Sequence, residues 1–277
     1  MSTATANLLL RDRKMSVNPF SDDYWHAELK AYGLRRSKFH VEHVSVTWGK
    51  IKGRCDDYLN VNMRFDDTPI PQLAINGNLW MSLTPMEIQS SALALHRARG
   101  HVIAGGLGLG YFPLRAAAKP EVVKVTVFEQ EPLVIEWFKR MFKDRPELAK
   151  IEIIEGDMRK TCKGYTADLA FIDIYPDLLA EGTFTDPKLL RKKNKIARYM
   201  FWGYERVMLE LVLHKMIKHA SLYMANDLLS YFTYWKETPY MADDPSVGTL
   251  SDYYRSKDAP PLELLKAGKR VMTDYPM

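Results

Sequence analysis

Four short, mostly apolar runs recur through the middle of the chain, at 102–104, 123–128, 151–154 and 169–172. Apolar runs of this length with little polar alternation predict strands that are covered on both faces, as in a parallel sheet. Between them the spacing turns helical, at 111–118 and 133–142. A longer helix is predicted over about 197–219, where Met200, Tyr204, Val207, Met208, Leu211 and Val212 recur at helical intervals, with a fifth strand at 222–225. Strands alternating with helices in this way predict an α/β fold, a doubly wound and mostly parallel sheet.

Ahead of that core the pattern is different. Val41, Val44, Val46 and Trp48 lead into a glycine, 58–65 alternates apolar and polar, and 73–75 runs into Asn76-Gly77. Asn-Gly between apolar runs is a strong hairpin signal, so a small antiparallel β-unit is expected over 41–83. A helix then begins at Thr84 as cap, with Pro85 at its first position and Glu87 placed to complete a capping box. Ile88, Ala92 and Leu95 form its buried stripe, and Gly100 lies just beyond it. Residues 1–40 carry little period, although Tyr24, Trp25 and Tyr32 suit a short docked helix. Residues 237–277 predict an irregular carboxyl-terminal segment. The expected division is therefore 1–40, 41–83, 84–236 and 237–277.

Composition alters this picture little. The 277 residues are 47% hydrophobic and 26% charged, an ordinary balance for a chain with a sizeable core. No run approaches the ~20 apolar residues of a membrane span, so no membrane partner is expected. Two cysteines, Cys55 and Cys162, form neither a metal spacing nor a disulfide framework, which suits a cytoplasmic location and gives no metal site. The net charge is +5, and much of it falls in the basic run 191–198. Such a run is usually a solvated helix face; an anion-facing patch, for phosphate, nucleic acid or an acidic protein, is the alternative.

The chemistry gathers at the ends of the apolar runs. The first run enters a turn bearing Gly105, Gly106, Gly108 and Gly110. Glycines let a backbone approach a ligand closely, and ligands of open α/β sheets bind beyond the carboxyl ends of the strands. Roughly 20 residues on, the second run ends at Glu129, the spacing at which an acid accepts ribose hydroxyls. Two ligand readings of the turn stand. A dinucleotide fingerprint has Gly106 and Gly108 but Tyr111 at its third glycine, whereas Gly105-x-x-Gly108 and Gly106-x-Gly108-x-Gly110 fit the looser turn of S-adenosylmethionine enzymes. After the third run, Asp157 or the backbone N–H of Met158 suits an adenine edge, although Asp157 would equally cap a helix. The fourth run ends at Asp173, followed by Tyr175 and Asp177. His96, His101, His214 and His219 show no pairing.

On these residues the segment 76–177 resembles a class I S-adenosylmethionine-dependent methyltransferase core, and most of all its spermidine-synthase-like branch. Asn76-Gly77 stands at that branch's D-G turn, and Glu87, within TPMEIQ, stands at the glutamate of its D-E pair. GGLGLG stands at its glycine turn, Glu129-Gln130-Glu131 at its ribose position, and Asp157 and Asp173 at its later strand-end acids. The resemblance implies a Rossmann-like fold and a cofactor, S-adenosylmethionine, held by Gly105, Gly106, Gly108, Gly110, Glu129, Gln130, Asp157 and Met158. It implies Asp173 and Tyr175 as catalytic residues, Glu87 and Asp177 at the acceptor, and a homodimer.

The departures set the order of the functional expectations. Aminopropyltransferases of this branch carry an Asp in the glycine turn to hold the cofactor's amine, and this chain has Gly108. The second acid of the D-x-x-D-P segment is shifted to Asp177, and the basic residues 191–195 would oppose a polycation. Methyl transfer from intact S-adenosylmethionine to a small-molecule or protein acceptor is therefore placed first. Aminopropyl transfer from decarboxylated S-adenosylmethionine is second, and a catalytically silent interaction module third. Nucleic acid is not the expected partner, since the signature of base methyltransferases is missing. Asp173 is the expected base or orienter, and 175–195 the expected lid.

Overall fold

The computed structural model describes residues 19, 22–50, 54–56, 62–64, 68–176 and 182–202. The chain divides into two compact units. One comprises Pro19–Pro176 with Leu189–Trp202. The other comprises Met1–Asn18, Asp177–Lys188 and Gly203–Met277.

In chain order the elements are α1 (Asp22–Tyr32), β1 (Phe39–Val41), β2 (Val44–Lys50), β3 (Arg54–Asp56), β4 (Asn62–Arg64), β5 (Pro69–Ile75), β6 (Asn78–Ser82) and α2 (Pro85–Arg97). There follow β7 (Gly100–Gly105), α3 (Tyr111–Ala117), β8 (Val122–Glu129), α4 (Pro132–Phe142), β9 (Ile151–Glu155), α5 (Met158–Thr161), β10 (Thr166–Ala167) and β11 (Leu169–Ile172). The last are α6 (Gly182–Lys193), β12 (Lys195–Ile196) and β13 (Tyr199–Phe201).

The main sheet has five strands in the order β13-β11-β7-β8-β9, every neighbouring pair parallel. The order starts from β7 at the centre and runs outward to β8 and β9 on one side and to β11 and β13 on the other. That is a doubly wound Rossmann-like sheet, the fold class the sequence predicts. Its interior reads as it must when both faces are covered: Val102, Ile103, Ala104, Val125, Val127, Phe128 and all of Leu169–Ile172 are buried. The amphipathic α4 lays Val134, Ile135, Trp137, Phe138 and Phe142 into the core.

The antiparallel unit is equally plain, a four-stranded sheet in the order β1-β2-β5-β6. Asn76 and Gly77 take left-handed conformations, φ 53° and 76°, which is what the tight turn from β5 to β6 requires. Trp25 of α1 donates from Nε1 to the Leu83 carbonyl at 3.0 Å, and the Tyr32 hydroxyl donates to the Leu109 carbonyl. The expected docked helix thus reaches both the end of the β-unit and the glycine turn. Glu28, buried on the same helix, takes two hydrogen bonds from the Arg115 guanidinium, at 2.7 and 3.0 Å, and one from the Tyr111 hydroxyl at 2.8 Å.

One expectation is corrected. The helix predicted over about 197–219 does not begin there, because Tyr199–Phe201 is strand β13, paired with Ala170–Ile172. Three consecutive buried apolar residues are the mark of a doubly covered strand, and the helical recurrence from Met200 onward concealed them. The fifth strand is therefore β13, while 222–225 lies outside the described residues. Within the expected lid, Gly182–Lys193 forms a helix. Its basic end is tied down in part, with Arg191 over the Tyr199 ring at 5.5 Å and Lys193 Nζ donating to the Arg159 carbonyl at 2.8 Å. Among the described residues no helix is long and apolar enough to cross a membrane.

Removing Glu28 would leave Arg115 and Tyr111 without their shared acceptor. Glu28→Ala is expected to cost about 3 kcal/mol, the low end for breaking a largely buried pair, in urea-unfolding curves. A double-mutant cycle with Arg115→Met should return most of that as coupling.

Candidate functional site

The strand ends lie in register, with Gly105 opposite Phe128 on one side and Ile172 on the other, and Glu129 opposite Glu155. Backbone hydrogen bonds just past the ends hold the loops together. Gly106 N–H donates to the Phe128 carbonyl at 2.9 Å, Gly156 N–H to Glu129 at 2.7 Å, and Asp173 N–H to Gly105 at 2.8 Å. Above these ends lies one crevice of about 230 Å³. Its lining includes Gly105, Gly106, Gly108, Glu129, Gln130, Asp157, Met158, Glu87, Asp173 and Tyr175. The sequence-predicted residues thus meet in one place, with two exceptions. Gly110 is buried away from the crevice, with the Phe138 ring where its side chain would lie. Asp177 lies outside the described residues.

All four glycines of the turn make room for the protein's own atoms, Gly105 for the Met158 sulfur and Gly110 for the Phe138 ring. Gly106 has φ 87°, and a Cβ there would collide with the Asp173 carbonyl oxygen. No other residue permits that approach, so Gly106 is what lets Asp173 sit beside the turn. At Gly108, with φ 51°, a Cβ would lie 2.5 Å from the sulfur of Met81.

Glu129 is partly buried, and its two carboxylate oxygens face different backbone donors. One accepts the N–H of Leu107 in the glycine turn at 2.8 Å, and the other accepts the N–H of Glu131 at 2.9 Å. Each oxygen keeps further acceptor capacity toward the crevice. The carboxylate is therefore both a strut of the turn and an oriented acceptor, which is the fit a ribose diol requires. Asp157 does double duty as well. It caps α5 by accepting the Arg159 N–H at 3.0 Å, and it still lines the crevice beside the buried Met158.

Glu87 lines the crevice and does not complete the capping box. Thr84 does cap α2, accepting the Glu87 N–H at 3.3 Å, but the Thr84 N–H goes to the Ser82 carbonyl at 2.7 Å. The Glu87 carboxyl lies buried in the crevice wall, within electrostatic reach of Asp173. Burial pushes the Asp173 carboxyl up to about 7. Burial first, and then the charge of Asp173, push Glu87 well above the ordinary carboxylate range. Two acids that cannot both ionise cheaply hold a proton between them near neutral pH.

The remaining lining is mixed, with Ser82, Thr84, Ser91 and Arg159 as its polar members, and its apolar part comes from residues outside the sequence motifs. Leu79, Trp80 and Met81 stand on β6, Phe112 on α3, Phe128 on β8, and Trp202 just past β13. Trp202 is fixed by its Nε1 donating to Ser90 Oγ at 3.0 Å. A signal for Trp202 did exist, since it directly follows the apolar triplet of β13. Among the described residues, no group of three or more His, Cys, Asp or Glu side chains is placed to hold a metal ion.

No protein-family model matches the chain, and neither does any curated protein. Solved structures similar to it include a probable spermidine synthase from Corynebacterium glutamicum, 15% identical over 51% of this chain and 52% of that one, with a TM-score of 0.34. A tRNA methyltransferase from M. jannaschii is 15% identical over 50% of this chain and 43% of that one, with a TM-score of 0.33. A spermidine synthase from Thermotoga maritima is 16% identical over 60% and 65%, with a TM-score of 0.29. The chain covers about half the length of the first two, 52% and 43%.

The raised pair makes stability depend on pH in a definite sense. A carboxyl whose folded value lies above its unfolded value binds more protons in the fold, so the contribution of Asp173 is whole below about pH 4 and is lost as pH rises through about 7. Asp173→Asn should therefore melt above the native chain at pH 8, by about 2–4 °C for each kcal/mol relieved. The gap should close near pH 4.5 in calorimetric scans at matched ionic strength.

Proposed function

We propose that this chain is a transferase that moves a methyl group from S-adenosylmethionine to an amine acceptor. The observation that carries the reading is the meeting of Glu129, the glycine turn, Asp157-Met158 and the Glu87–Asp173 pair around one crevice. Glu129 would accept the ribose hydroxyls, while Phe128, Asp157 and Met158 would take the adenine. When bound, the cofactor supplies a sulfonium-activated carbon as electrophile.

The chain's own residues then have a limited task. The apolar walls of Phe112, Trp80 and Trp202 exclude water from the reacting centre. Glu87 and Asp173 attract and orient a cationic amine and take up the proton its nitrogen must lose. A carboxyl held near 7 is suited to that, because general-base efficiency peaks when the pKa lies near the working pH. Tyr175, buried in the same wall, shapes the acceptor end.

One observation favours a second reading. A pair of acids in one wall also suits a polyamine, so aminopropyl transfer from decarboxylated S-adenosylmethionine stands as the alternative. Thermal shift with the intact and the decarboxylated cofactor, followed by turnover with each and a short diamine, separates the two.

In calorimetry Glu129→Ala should bind S-adenosylhomocysteine about 10–100-fold more weakly, the loss of hydrogen bonds to a charged group. Asp173→Asn should keep that affinity while losing turnover about 10²-fold or more. Unchanged nucleoside affinity in Glu129→Ala, in a variant that still folds, would count against the whole assignment.

A further inference from the structure

Met81 occupies the crevice in a way that the chemistry above does not use. It stands on the edge strand β6, beside Leu79 and Trp80, which are 60% and 39% exposed. Its sulfur accepts the backbone N–H of Leu109 at 3.1 Å. The same sulfur fills the space that a side chain at position 108 would need, 2.5 Å from the Cβ such a residue would carry. Met81 and Gly108 are thus a matched pair, since a larger residue at 108 would evict the thioether. With Met81 in place the crevice measures about 230 Å³, short of the ~300 Å³ at which small-molecule sites begin.

A thioether is a weak acceptor, whereas a carboxylate accepting an N–H makes a bond roughly twice as strong as a neutral one. Methionine is unbranched and turns about three bonds, so its displacement needs no backbone movement. We propose that Met81 is a displaceable plug that makes the crevice select nucleosides whose tail carries a carboxylate. This rests on the reading that the crevice takes a sulfonium nucleoside. A carboxylate takes the Leu109 N–H from the sulfur, and the plug swings out. A tail that ends in an ammonium alone has only donors, cannot take that N–H, and meets the thioether as an obstruction. Selection between intact and decarboxylated S-adenosylmethionine is thereby assigned to residues 81 and 108 rather than to a charged side chain in the turn.

The test is calorimetry of the native chain, Met81→Ala and Met81→Leu with S-adenosylhomocysteine and decarboxylated S-adenosylmethionine, beside carbon-13 spectra of the methionine methyl groups. The native chain should prefer the carboxylate-bearing tail by about tenfold or more. The Met81 methyl resonance should move with S-adenosylhomocysteine and stay put with the decarboxylated ligand. Met81→Ala should narrow the preference to about threefold or less by tightening the decarboxylated ligand. Met81→Leu keeps the bulk without the acceptor, and it guards against a folding defect in the smaller variant. Met81→Leu should therefore keep the preference; a preference that survives Met81→Ala, one that is lost in Met81→Leu, or a Met81 signal that ignores a bound carboxylate tail overturns the plug and leaves the nucleoside reading intact. Binding of neither ligand to the native chain overturns both.

Discussion

The close passage of Asp173 over Gly106 is the constraint on which the site is built. The carbonyl of residue 173 lies where any side chain at 106 would be, and its N–H is held by Gly105 at 2.8 Å. That contact brings the end of β11 against the glycine turn after β7. It also sets the Asp173 carboxyl near Glu87 on the first turn of α2, in a crevice that Phe112, Trp80 and Trp202 also line. Without it there would be a parallel sheet with polar ends but no paired acids. The glycine that looks like a place for ligand backbone contact is first a place for the protein's own backbone.

The site is held from outside with comparable care. The Tyr32 hydroxyl binds the carbonyl of Leu109, and Glu28 on the same helix gathers Arg115 and Tyr111 of α3. His43, in the turn between β1 and β2, lies 2.9 Å from Glu131, which caps α4 next to Glu129. The β-unit and α1 therefore brace the glycine turn and the neighbourhood of Glu129 at once. The cost of keeping two acids buried side by side in the crevice is carried by this frame.

Much of this frame was legible in the sequence. The glycine turn, the strand after it, the acid at 129 and the strand at 169–172 follow from period and spacing, which are local properties. So does the turn at Asn76-Gly77, where only a left-handed conformation closes the hairpin. Legibility failed where a residue had two uses. Glu87 fits a capping box in sequence, yet its carboxyl faces the crevice. Met200 fits a helical stripe, yet it lies in a strand. In each case the local pattern was genuine and a tertiary partner outweighed it.

The sequence by itself determined the alternation of strands and helices from β7 to β11, the place of the glycine turn and the acids that end the strands. Apolar periodicity and strand-end polarity are written residue by residue. Only the tertiary structure decided that the Asp173 carbonyl lies against Gly106, and that Met81 reaches over Gly108 to the Leu109 N–H. These pairs are separated along the chain by whole elements. What joins them is the order of strands in two sheets and the space left by absent side chains, which no local pattern records.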